Sequence, residues 1–273
     1  MVRALWTGAS GMNAQQISLD NIANNLSNVN TTGYKKQTTE FSSLLYQKLQ
    51  TKQTDNNGDP KPVIAQVGSG VRVSGLTSVF TQGNILETGN KTDFCIEGEG
   101  FFRVEMPDGS EAYTRNGAFQ LAVDNEGGVT VATAEGYAVL DSLGQRIHFG
   151  PEYDTSKLEV DQFGNFTYPD DESGSQMGLG VKFGLAQFNN PSGLDKLSNS
   201  YLRETANSGE VRYEDNDTAL KASKIHSRYL EGSNVQTVDE IVNMIVTQRA
   251  YEMNSKVITA ADEMMQQANN LRS

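Results

Sequence analysis

The strongest constraint on the fold is the C-terminal segment from Ser233 to Ser273, which contains neither glycine nor proline. Its apolar residues recur at steps of three and four, which predicts one face of a long amphipathic helix. The T-x-x-E spacing of Thr237 and Glu240 indicates a capped start. A helix from there to the end of the stripe is about 50 Å long, at ~1.5 Å per residue. The stripe comprises Val246, Ala250, Met253, Val257, Ala260, Met264 and Leu271.

A similar stripe occupies the N-terminal end, although that segment is a weaker helix former. Five of the ten residues from Asn21 to Asn30 are asparagine, whose amide competes for nearby backbone groups. Gly33 marks a natural end for this helix. Because the two stripes match, we expect the ends to pair with each other or with copies of themselves. The N-terminal stripe comprises Leu5, Met12, Leu19, Ile22, Leu26 and Val29.

Between the two ends the hydrophobic pattern changes to period two. Phe102, Val104 and Met106 alternate with polar residues, and a turn is predicted from Pro107 to Gly109. The sequence therefore predicts an α+β fold: long N- and C-terminal helices pair as a coiled-coil-like core domain, and a mostly antiparallel β domain is inserted between them. The predicted segments are 1–34 (N-terminal helix), 35–85 (extended loop with short strands), 86–202 (β-rich outer domain), 203–232 (return linker) and 233–273 (C-terminal helix).

The composition argues against several classes of function. The 273 residues carry a net charge of −12, and the pI is about 4.7. A chain this acidic is a poor candidate for binding nucleic acid or anionic membranes. No apolar run approaches the ~18 residues of a membrane span, and the N-terminal apolar stretch is too short for a secretory signal. We therefore expect a cytoplasmic protein, or one that is exported by another route.

Catalytic and ligand-binding motifs are missing from the sequence. Two histidines and one cysteine are too few for a histidine-rich or thiolate zinc site. Cys95 stands beside apolar neighbours and is expected to be a buried structural thiol. The acidic run from Glu214 to Asp217 lacks the glycine and the closing glutamate of a calcium loop. We predict no catalytic residues, no metal site, no cofactor and no small-molecule substrate.

Two terminal motifs resemble those of a known family. "ANNLSNVNTTGYKK" and "LEGSNVQTVDEIVNMIVTQRAYEMNSKVITAADEMM" are similar to the two signatures of the flagellar rod, hook and hook-associated axial proteins, with Ser27 where alanine is common. The middle, including "IEGEGFFRV", resembles the β domain of that family. The resemblance thus covers nearly the whole chain in the right order. Within the family it points to a rod subunit, of the distal rod first, with the proximal rod as the alternative.

The resemblance implies a homopolymer in the form of a hollow helical tube, which transmits motor torque to the hook and forms the wall of an export channel. The terminal helices would pack in the inner wall, and the β domain would lie outside. The implied partners are further copies, neighbouring rod and hook proteins, the surrounding bushing ring, a rod cap and the flagellar type III export apparatus. The implied location is the basal body in the cell envelope and periplasmic space, reached without a cleaved signal peptide.

The resemblance also implies that both terminal helices carry the polymerisation interface. Asn24, Asn25 and Asn28 are expected to bind a neighbouring subunit, because an amide can fix a register in which apolar contacts alone would slide. The chain is expected to leave the helix through a turn at Thr32, Gly33 and Tyr34. The expected N-terminal interface comprises Leu5, Met12, Leu19, Ile22, Asn24, Asn25, Leu26, Asn28 and Val29. The expected C-terminal interface comprises Ile241, Ile245, Val246, Ala250, Tyr251, Met253, Asn254, Val257, Ala260, Met264 and Leu271.

Two other classes of function stay open at the level of sequence. A surface adhesin could display the β domain on a coiled-coil stalk, although no secretion signal is visible. An enzyme such as a cell-wall hydrolase would need two carboxylates across a cleft, and 34 acidic residues do not exclude such a pair.

Overall fold

The computed structural model describes residues 2–48, 66–123, 127–169, 176–217 and 220–271. Residues 49–65, which belong to the expected extended loop, lie outside these ranges. Within the described residues the predicted α+β class is confirmed, because a helix stands at each end and the strands between them pair antiparallel. The chain divides into two compact units, here called unit 1 and unit 2, and each is built from separate stretches of sequence.

Unit 1 holds both helices and comprises Met1–Ser27, Gln37–Ser78 and Gln236–Ser273. Its elements are α1 (Val2–Ser27), β1 (Gln37–Ser43), β2 (Tyr46–Lys48), β3 (Gln66–Gly68), β4 (Val71–Ser78) and α2 (Thr237–Asn270). The long C-terminal helix begins at Thr237, but the capped start expected from Thr237 and Glu240 is wrong: Gln236 is the N-cap residue, without a side-chain cap bond, and Glu240 accepts from Asn25 instead. Helix α1 ends at Ser27, six residues before Gly33. No helix among the described residues is long and apolar enough to cross a membrane.

The two helices of unit 1 pack against each other in antiparallel directions. Near the start of α1, Gly8 lies against Ile258, and near its end Asn25 contacts Glu240. The helices approach closely because the facing positions on α1 are small. An ideal Cβ atom would lie 2.9 Å from Ile258 Cγ1 if placed on Gly8, and 2.8 Å from Asn254 Nδ2 if placed on Gly11. Gly8 is therefore a point of contact between the helices.

The strands of unit 1 form an antiparallel ribbon beside α1. β1 pairs with β4 from Gln37 opposite Ser78 to Ser43 opposite Val71, with a bulge between Glu40 and Phe41. β2 pairs with β3 and continues the ribbon beyond this point. Exposure alternates along β4, and α1 contacts both β1 and β4, so one face of the ribbon is partly covered by the helix.

Unit 2 comprises Asn28–Lys36 and Val79–Val235 and contains most of the strands. They are β5 (Ile85–Glu87), β6 (Phe94–Glu97), β7 (Phe101–Glu105), β8 (Glu111–Thr114), β9 (Gln120–Val123), β10 (Val129–Ala132), β11 (His148–Phe149), β12 (Glu159–Val160), β13 (Asn165–Pro169), β14 (Gln176–Lys182), β15 (Leu185–Gln187), β16 (Asp195–Lys196), β17 (Tyr201–Arg203), β18 (Arg212–Tyr213), β19 (Lys224–Ser227) and β20 (Tyr229–Glu231). Two 3-10 helices, Pro191–Gly193 and Ser198–Ser200, stand on either side of β16.

The largest sheet of unit 2 has six strands in the order β16-β17-β8-β7-β15-β18. Two three-stranded sheets have the orders β11-β10-β9 and β12-β13-β14, and β6 and β5 pair with β19 and β20. The predicted turn after β7 is confirmed: Met106 N donates to Ser110 O at 2.9 Å, and Gly109 has a φ of +77°. That φ favours glycine because a Cβ atom would be strained there.

The core of unit 2 is rich in phenylalanine and lies on both faces of β7. Phe102 and Val104 belong to a large buried cluster that also contains Phe94, Phe119, Phe149, Phe166 and Phe183. On the opposite face Phe101 belongs to a second cluster with Tyr113, Phe188, Leu194 and Leu202. The period-two pattern thus correctly predicted a strand, but β7 is central in its sheet and is covered on both sides.

Arg103 illustrates why the polar positions of β7 are also buried. Its side chain is only 5% exposed, and its Nη2 atom donates to Glu111 Oε1 at 2.7 Å. The guanidinium carbon lies 4.2 Å from the ring centroid of Tyr213. An ion pair and a ring therefore satisfy a cation that the sequence pattern alone would leave in water.

The segment 203–232, which was expected to be a return linker, carries β18, β19 and β20. Strand β19 pairs with β6 over four residues, and Ile225 within it is 2% exposed and belongs to the large cluster. This segment forms strands because its apolar side chains complete the core of unit 2.

Candidate assembly interface

The outer face of α2 exposes an extended set of large apolar side chains. Val246 is 61% exposed and Met253 is 62% exposed. Large exposed apolar surfaces often mark interaction sites in soluble proteins, so α2 is the candidate interface. The large apolar residues exposed along α2 are Val238, Ile241, Val242, Ile245, Val246, Tyr251, Met253, Val257, Met264 and Leu271.

This apolar face differs from the face of α2 that packs on α1. Glu240, Thr247 and Ala261 are the buried residues of α2. An α-helix turns by ~100° per residue. The mean direction of these three buried side chains therefore lies ~100° around the helix axis from the mean direction of the stripe residues between Val246 and Met264. Within the chain the helix therefore uses a face that carries Glu240, Thr247, Ile258 and Ala261, and it leaves the face of the stripe open.

The predicted C-terminal interface residues lie mainly on the open face. Ala250 is half-buried, and Asn254 is half-buried with its amide against Gly11 of the same chain. Their role in polymerisation stays a prediction. The exposed members are Ile241, Ile245, Val246, Tyr251, Met253, Val257, Ala260, Met264 and Leu271.

The predicted N-terminal interface residues are more buried. Ile22 and Asn25 are 7% and 1% exposed, whereas Asn24 is exposed. Part of this set is therefore covered by contacts within the chain, and its role between copies also stays a prediction. The half-buried members are Leu5, Met12, Leu19, Leu26, Asn28 and Val29.

Asn25 explains why the asparagine-rich segment can be helical. Its Nδ2 atom donates to Gln37 O at 2.8 Å and to Glu240 Oε2 at 3.3 Å, and its Oδ1 atom accepts from Gln37 N at 3.0 Å. The side chain thus joins α1, the start of β1 and α2. The sequence led us to expect a partner in a neighbouring subunit, whereas these partners belong to the same chain.

Two further asparagines of this segment also bind within their own chain. Asn21 Nδ2 donates to Gln37 O at 3.0 Å and to Thr39 Oγ1 at 3.2 Å. Asn28 Oδ1 accepts from Thr31 Oγ1 at 3.1 Å. Amides that would compete with the helix backbone in an isolated peptide are therefore engaged by the ribbon and by the turn.

The predicted exit turn at Thr32, Gly33 and Tyr34 lies in unit 2. Gly33 has a φ of +68°, and an ideal Cβ atom on it would lie 2.7 Å from Asn116 N, so both conformation and space favour glycine. Its N–H group donates to Glu231 O at 2.8 Å. Thr32 and Tyr34 are half-buried.

A buried ion cluster next to this turn was not anticipated from the sequence. Lys35 Nζ donates to Glu231 Oε1 at 2.6 Å, and Arg115 Nη1 lies 3.5 Å from Glu231 Oε2. All three side chains are at most 4% exposed. Burial lowers the pKa of the Lys35 ammonium, and the Glu231 carboxylate opposes that shift. Burial also lowers the pKa of the Arg115 guanidinium.

Backbone groups provide further hydrogen-bond partners for this cluster. Lys35 Nζ also donates to Thr81 O at 2.8 Å, and Gly83 N donates to Glu231 Oε1 at 2.8 Å. Because a buried charge is tolerated only when it is paired and hydrogen-bonded, these contacts tie the turn 28–36 to the body of unit 2. The pair Lys35–Lys36 after Tyr34 was the one local sign of this ion cluster in the sequence. Glu231, the partner of Lys35, lies 196 residues away.

Asn234 fixes the same region from the other end of unit 2. Its Oδ1 atom accepts from Lys36 N at 2.7 Å, and its Nδ2 atom donates to Val79 O at 2.8 Å. Asn234, the asparagine of the C-terminal "SNV" motif, thus joins Lys36, the last residue of the first stretch of unit 2, to Val79, the first residue of its second stretch.

Cys95 and Glu214, two groups that could carry chemistry, lie in structural surroundings. Among the described residues, no group of three or more histidine, cysteine, aspartate or glutamate side chains could hold a metal ion. Cys95 is buried as predicted, and burial, together with the Glu231 carboxylate, raises the pKa of its thiol to about 12. Glu214 accepts hydrogen bonds from Gln187 Nε2 at 2.8 Å and from Ser223 Oγ at 2.7 Å.

Three family models match this chain in the order of its segments. The model described as "Flagella basal body rod protein" matches residues 5–35, which include most of α1 and the exit turn. "Flagellar hook protein FlgE/F/G D1 domain" matches residues 95–168 of unit 2. "Flagellar basal body rod FlgEFG protein C-terminal" matches residues 226–271, which contain α2.

Full-length relatives give the same result. The flagellar basal-body rod protein FlgG of Borreliella burgdorferi is 41% identical over 276 residues, which cover 100% of this chain and 99% of that protein. The FlgG protein of Agrobacterium fabrum is 39% identical over 96% of this chain and 97% of its own length. That of Bacillus subtilis is 35% identical over 100% of both chains.

Proposed function

Because the chain belongs to the flagellar basal-body rod protein family, we propose that it is a subunit of the distal rod that polymerises into a hollow helical tube. It is a structural protein of the basal body and not an enzyme. The tube would serve as the drive shaft that carries motor torque to the hook, and its inner wall, built from the paired helices, would enclose an export channel.

The open apolar face of α2 is the observation that supports polymerisation. Burial of apolar surface contributes about 25 cal/mol per Å², so a neighbouring copy that covers this face would gain stability at every contact along the helix. Val246, Ala250, Met253 and Val257 follow one another at steps of four, three and four, which suits a coiled-coil-like seam between copies. Within one chain, α1 and the ribbon leave this face uncovered.

The decisive experiment places a charge in that seam. Val257, which is 48% exposed, is replaced by aspartate, and the full chain is assayed for polymers by sedimentation and electron microscopy. We expect the monomer to fold, because the side chain makes little contact within the chain, and we expect polymers to be lost, because the carboxylate would be desolvated between copies.

Gln248→Asp is the matched control. Gln248 is also exposed on α2, and at ~100° per residue it lies ~180° from Val257 around the axis. This variant adds the same charge outside the seam and should polymerise like the parent. Equal polymerisation of Val257→Asp and the parent would refute the seam.

The proposal extends to partners and location. Neighbouring rod and hook proteins would contact the two ends of the tube, with a bushing ring around it and a rod cap at its growing tip. The subunits would pass through the flagellar type III export apparatus into the periplasmic space without a cleaved signal peptide. Antibody labelling of isolated basal bodies tests the position: label near the hook supports the distal rod, and label near the motor supports the proximal rod.

A further inference from the structure

Unit 1 exposes the single tryptophan of the chain near the start of α1. Trp6 is 72% exposed, and with Arg3 and Val67 it borders a cavity of about 250 Å³ between α1 and the strand pair β2–β3. Tyr46 lies beside Gly68, which also lines this cavity, and is 61% exposed. We call Arg3, Trp6, Tyr46 and Val67 the tryptophan patch.

The tryptophan patch has the composition of a binding surface. Tryptophan, tyrosine and arginine are the residue types that most often dominate the energetics of protein interfaces. With 72% of a side chain of ~250 Å² exposed, Trp6 alone offers a partner ~180 Å² of surface. Because Trp6 stands on a helix, its backbone loses little conformational freedom when a partner binds. Trp6 is therefore suited to be an interface anchor.

Arg3 gives the tryptophan patch a positive charge that its own chain does not compensate. Its side chain is exposed, and no ion pair among the described residues includes it. The first turn of α1 also contains no acidic residue. A cation at the N-terminal end of a helix opposes the helix dipole, so Arg3 is unfavourably placed within its own chain. A carboxylate from another molecule would relieve this.

The antiparallel helix pair places Trp6 level with the open stripe of α2. Gly8 of α1 lies against Ile258 of α2. Trp6 stands two residues before Gly8 and Ala260 stands two residues after Ile258, so both lie ~3 Å from this contact in the same direction along the pair. Two residues also turn an α-helix by ~200°, so both side chains point away from the contact. Trp6 and Ala260 therefore lie at one height on opposite sides of the helix pair.

Ala260 is a small residue between two large ones and leaves a hollow in the exposed stripe. Val257, three residues earlier, is 48% exposed, and Met264, four residues later, is 52% exposed. Residues at this spacing surround the holes that receive large side chains when helices pack. We call Val257, Ala260 and Met264 the alanine hollow.

A negative charge stands beside the alanine hollow. Glu263 is exposed, and Lys256, the nearest cation on that flank of α2, is ~10 Å from it along the helix axis. Arg3 and Glu263 are each five residues from the contact between Gly8 and Ile258, so they too lie at one height. The tryptophan patch and the alanine hollow thus match in size, in charge and in height.

We propose that the tryptophan patch of one copy packs in the alanine hollow of a neighbouring copy, so that the ring of Trp6 covers Ala260 and Arg3 pairs with Glu263. This inference rests on the proposed homopolymer and names the surface that covers this part of the α2 seam. The two surfaces differ and lie on opposite sides of the helix pair, so each bound copy keeps one free for the next, as an open-ended polymer requires. The contact is only part of the ~800 Å² per partner of a stable interface, and the rest of the open face of α2 would supply more.

The first test is Trp6→Ala in the full chain. Trp6 is mostly exposed, so circular dichroism and thermal unfolding of the monomer should be unchanged. We expect the critical concentration for polymerisation to rise about tenfold or more, as for loss of an interface anchor. Phe163→Ala is the matched control, because Phe163 is an aromatic residue of unit 2 that is 65% exposed. An unchanged critical concentration in Trp6→Ala, or an equal rise in Phe163→Ala, would overturn the inference.

A charge exchange tests which surfaces meet. Arg3→Glu and Glu263→Arg each bring like charges together in the proposed contact, so each variant alone should raise the critical concentration about threefold or more. The double variant restores opposite charges and should return to within about twofold of the parent, because the two changes are coupled. Deficits that simply multiply in the double variant, or no deficit in either single variant, would overturn this pairing.

Cross-linking tests the seat of the anchor. A tagged copy with Trp6→Cys and a differently tagged copy with Ala260→Cys are polymerised together, well above the raised critical concentration, and treated with a short bis-maleimide. Cys95 is buried and should stay unreactive. We expect heterodimers of the two tags under polymerising conditions, and only background from Trp6→Cys with Gln248→Cys, which lies on another side of α2. Equal yields from both pairs would overturn the alanine hollow as the receptor.

The outcomes also separate this inference from the proposed function. A parental chain that forms no polymer refutes the proposed function, and the inference falls with it. A chain that polymerises, and loses its polymers in Val257→Asp but not in Trp6→Ala, supports the α2 seam and refutes this inference alone.

Discussion

Replacement of Asn25 by leucine separates a role within the chain from a role between copies. The two side chains are similar in volume, but leucine can neither donate to Gln37 O nor accept from Gln37 N, and it leaves Glu240 Oε2 without this amide. If the amide acts mainly between subunits, the monomer should tolerate the change. If it acts as the structure indicates, the monomer itself should lose stability.

The magnitude follows from the hydrogen bonds. The Gln37 N–H group loses its partner, which costs about 1–3 kcal/mol, and Gln37 is half-buried, which places the cost in the lower part of that range. Gln37 O keeps the hydrogen bond from Asn21 Nδ2. Loss of the amide next to Glu240, which is 5% exposed, adds about 1–3 kcal/mol. Burial of the leucine side chain offsets about 1–2 kcal/mol. We expect a net destabilisation of about 1–2 kcal/mol.

Hydrogen exchange on dilute monomer is the suitable assay, because it reports the opening free energy of α1 and α2 separately from unit 2. The amides of both helices should exchange about 5-fold to 30-fold faster in Asn25→Leu, which corresponds to ~1–2 kcal/mol. Asn13→Leu is the control, since Asn13 is exposed on the same helix. Unchanged exchange in the Asn25 variant, together with lost polymerisation, would refute this reasoning and restore the inter-subunit role.

Two further predictions concern unit 2. Lys35→Met should destabilise unit 2 by about 3 kcal/mol, because it removes one partner of the buried Glu231. Urea unfolding followed by near-ultraviolet circular dichroism checks this, and Lys36→Met is the control. A loss of less than about 1 kcal/mol in Lys35→Met would contradict the prediction. Burial raises the pKa of the Cys95 thiol to about 12, above its ordinary value of 9.0, so its protonated form contributes stability that is complete below pH 9 and is lost as the pH rises toward 12. At pH 10 this loss is about 1.4 kcal/mol, and Cys95→Ala should therefore show a smaller drop in unfolding free energy between pH 8 and pH 10 than the parent; an identical drop would count against a protonated buried thiol.

Local patterns were sufficient for much of the fold. The three-four spacing and absence of glycine and proline predicted α2, and the alternation from Phe102 to Met106 predicted β7 and the turn that follows. The apolar neighbours of Cys95 predicted its burial. These features succeed because hydrogen bonding within a helix or a tight turn depends on residues that are close in sequence.

Local patterns were insufficient where a partner lies far along the chain. Nothing in the sequence indicates that Glu231 pairs with Lys35. The segment 203–232 also has the sequence pattern of a linker, although its Ile225 lies in the core. Residues 141–144 and 161–164 repeat a D-x-x-G spacing, but the sequence does not show that Leu143 and Phe163 are exposed or that both turns adjoin residues 182–183.

The sequence by itself determined that this chain has two terminal helices, a β-rich middle and the motifs of a flagellar axial protein. Only the tertiary structure decided which face of each helix is used. Gly8, Gly11 and Asn25 of α1 meet Ile258, Asn254 and Glu240 of α2, and the face of α2 that carries Val246, Met253 and Val257 stays open. Periodicity shows that a helix has an apolar side. The side that packs is selected by the close approach of the two helices and by hydrogen-bonded amides, which depend on contacts between residues as far apart as Asn25 and Glu240.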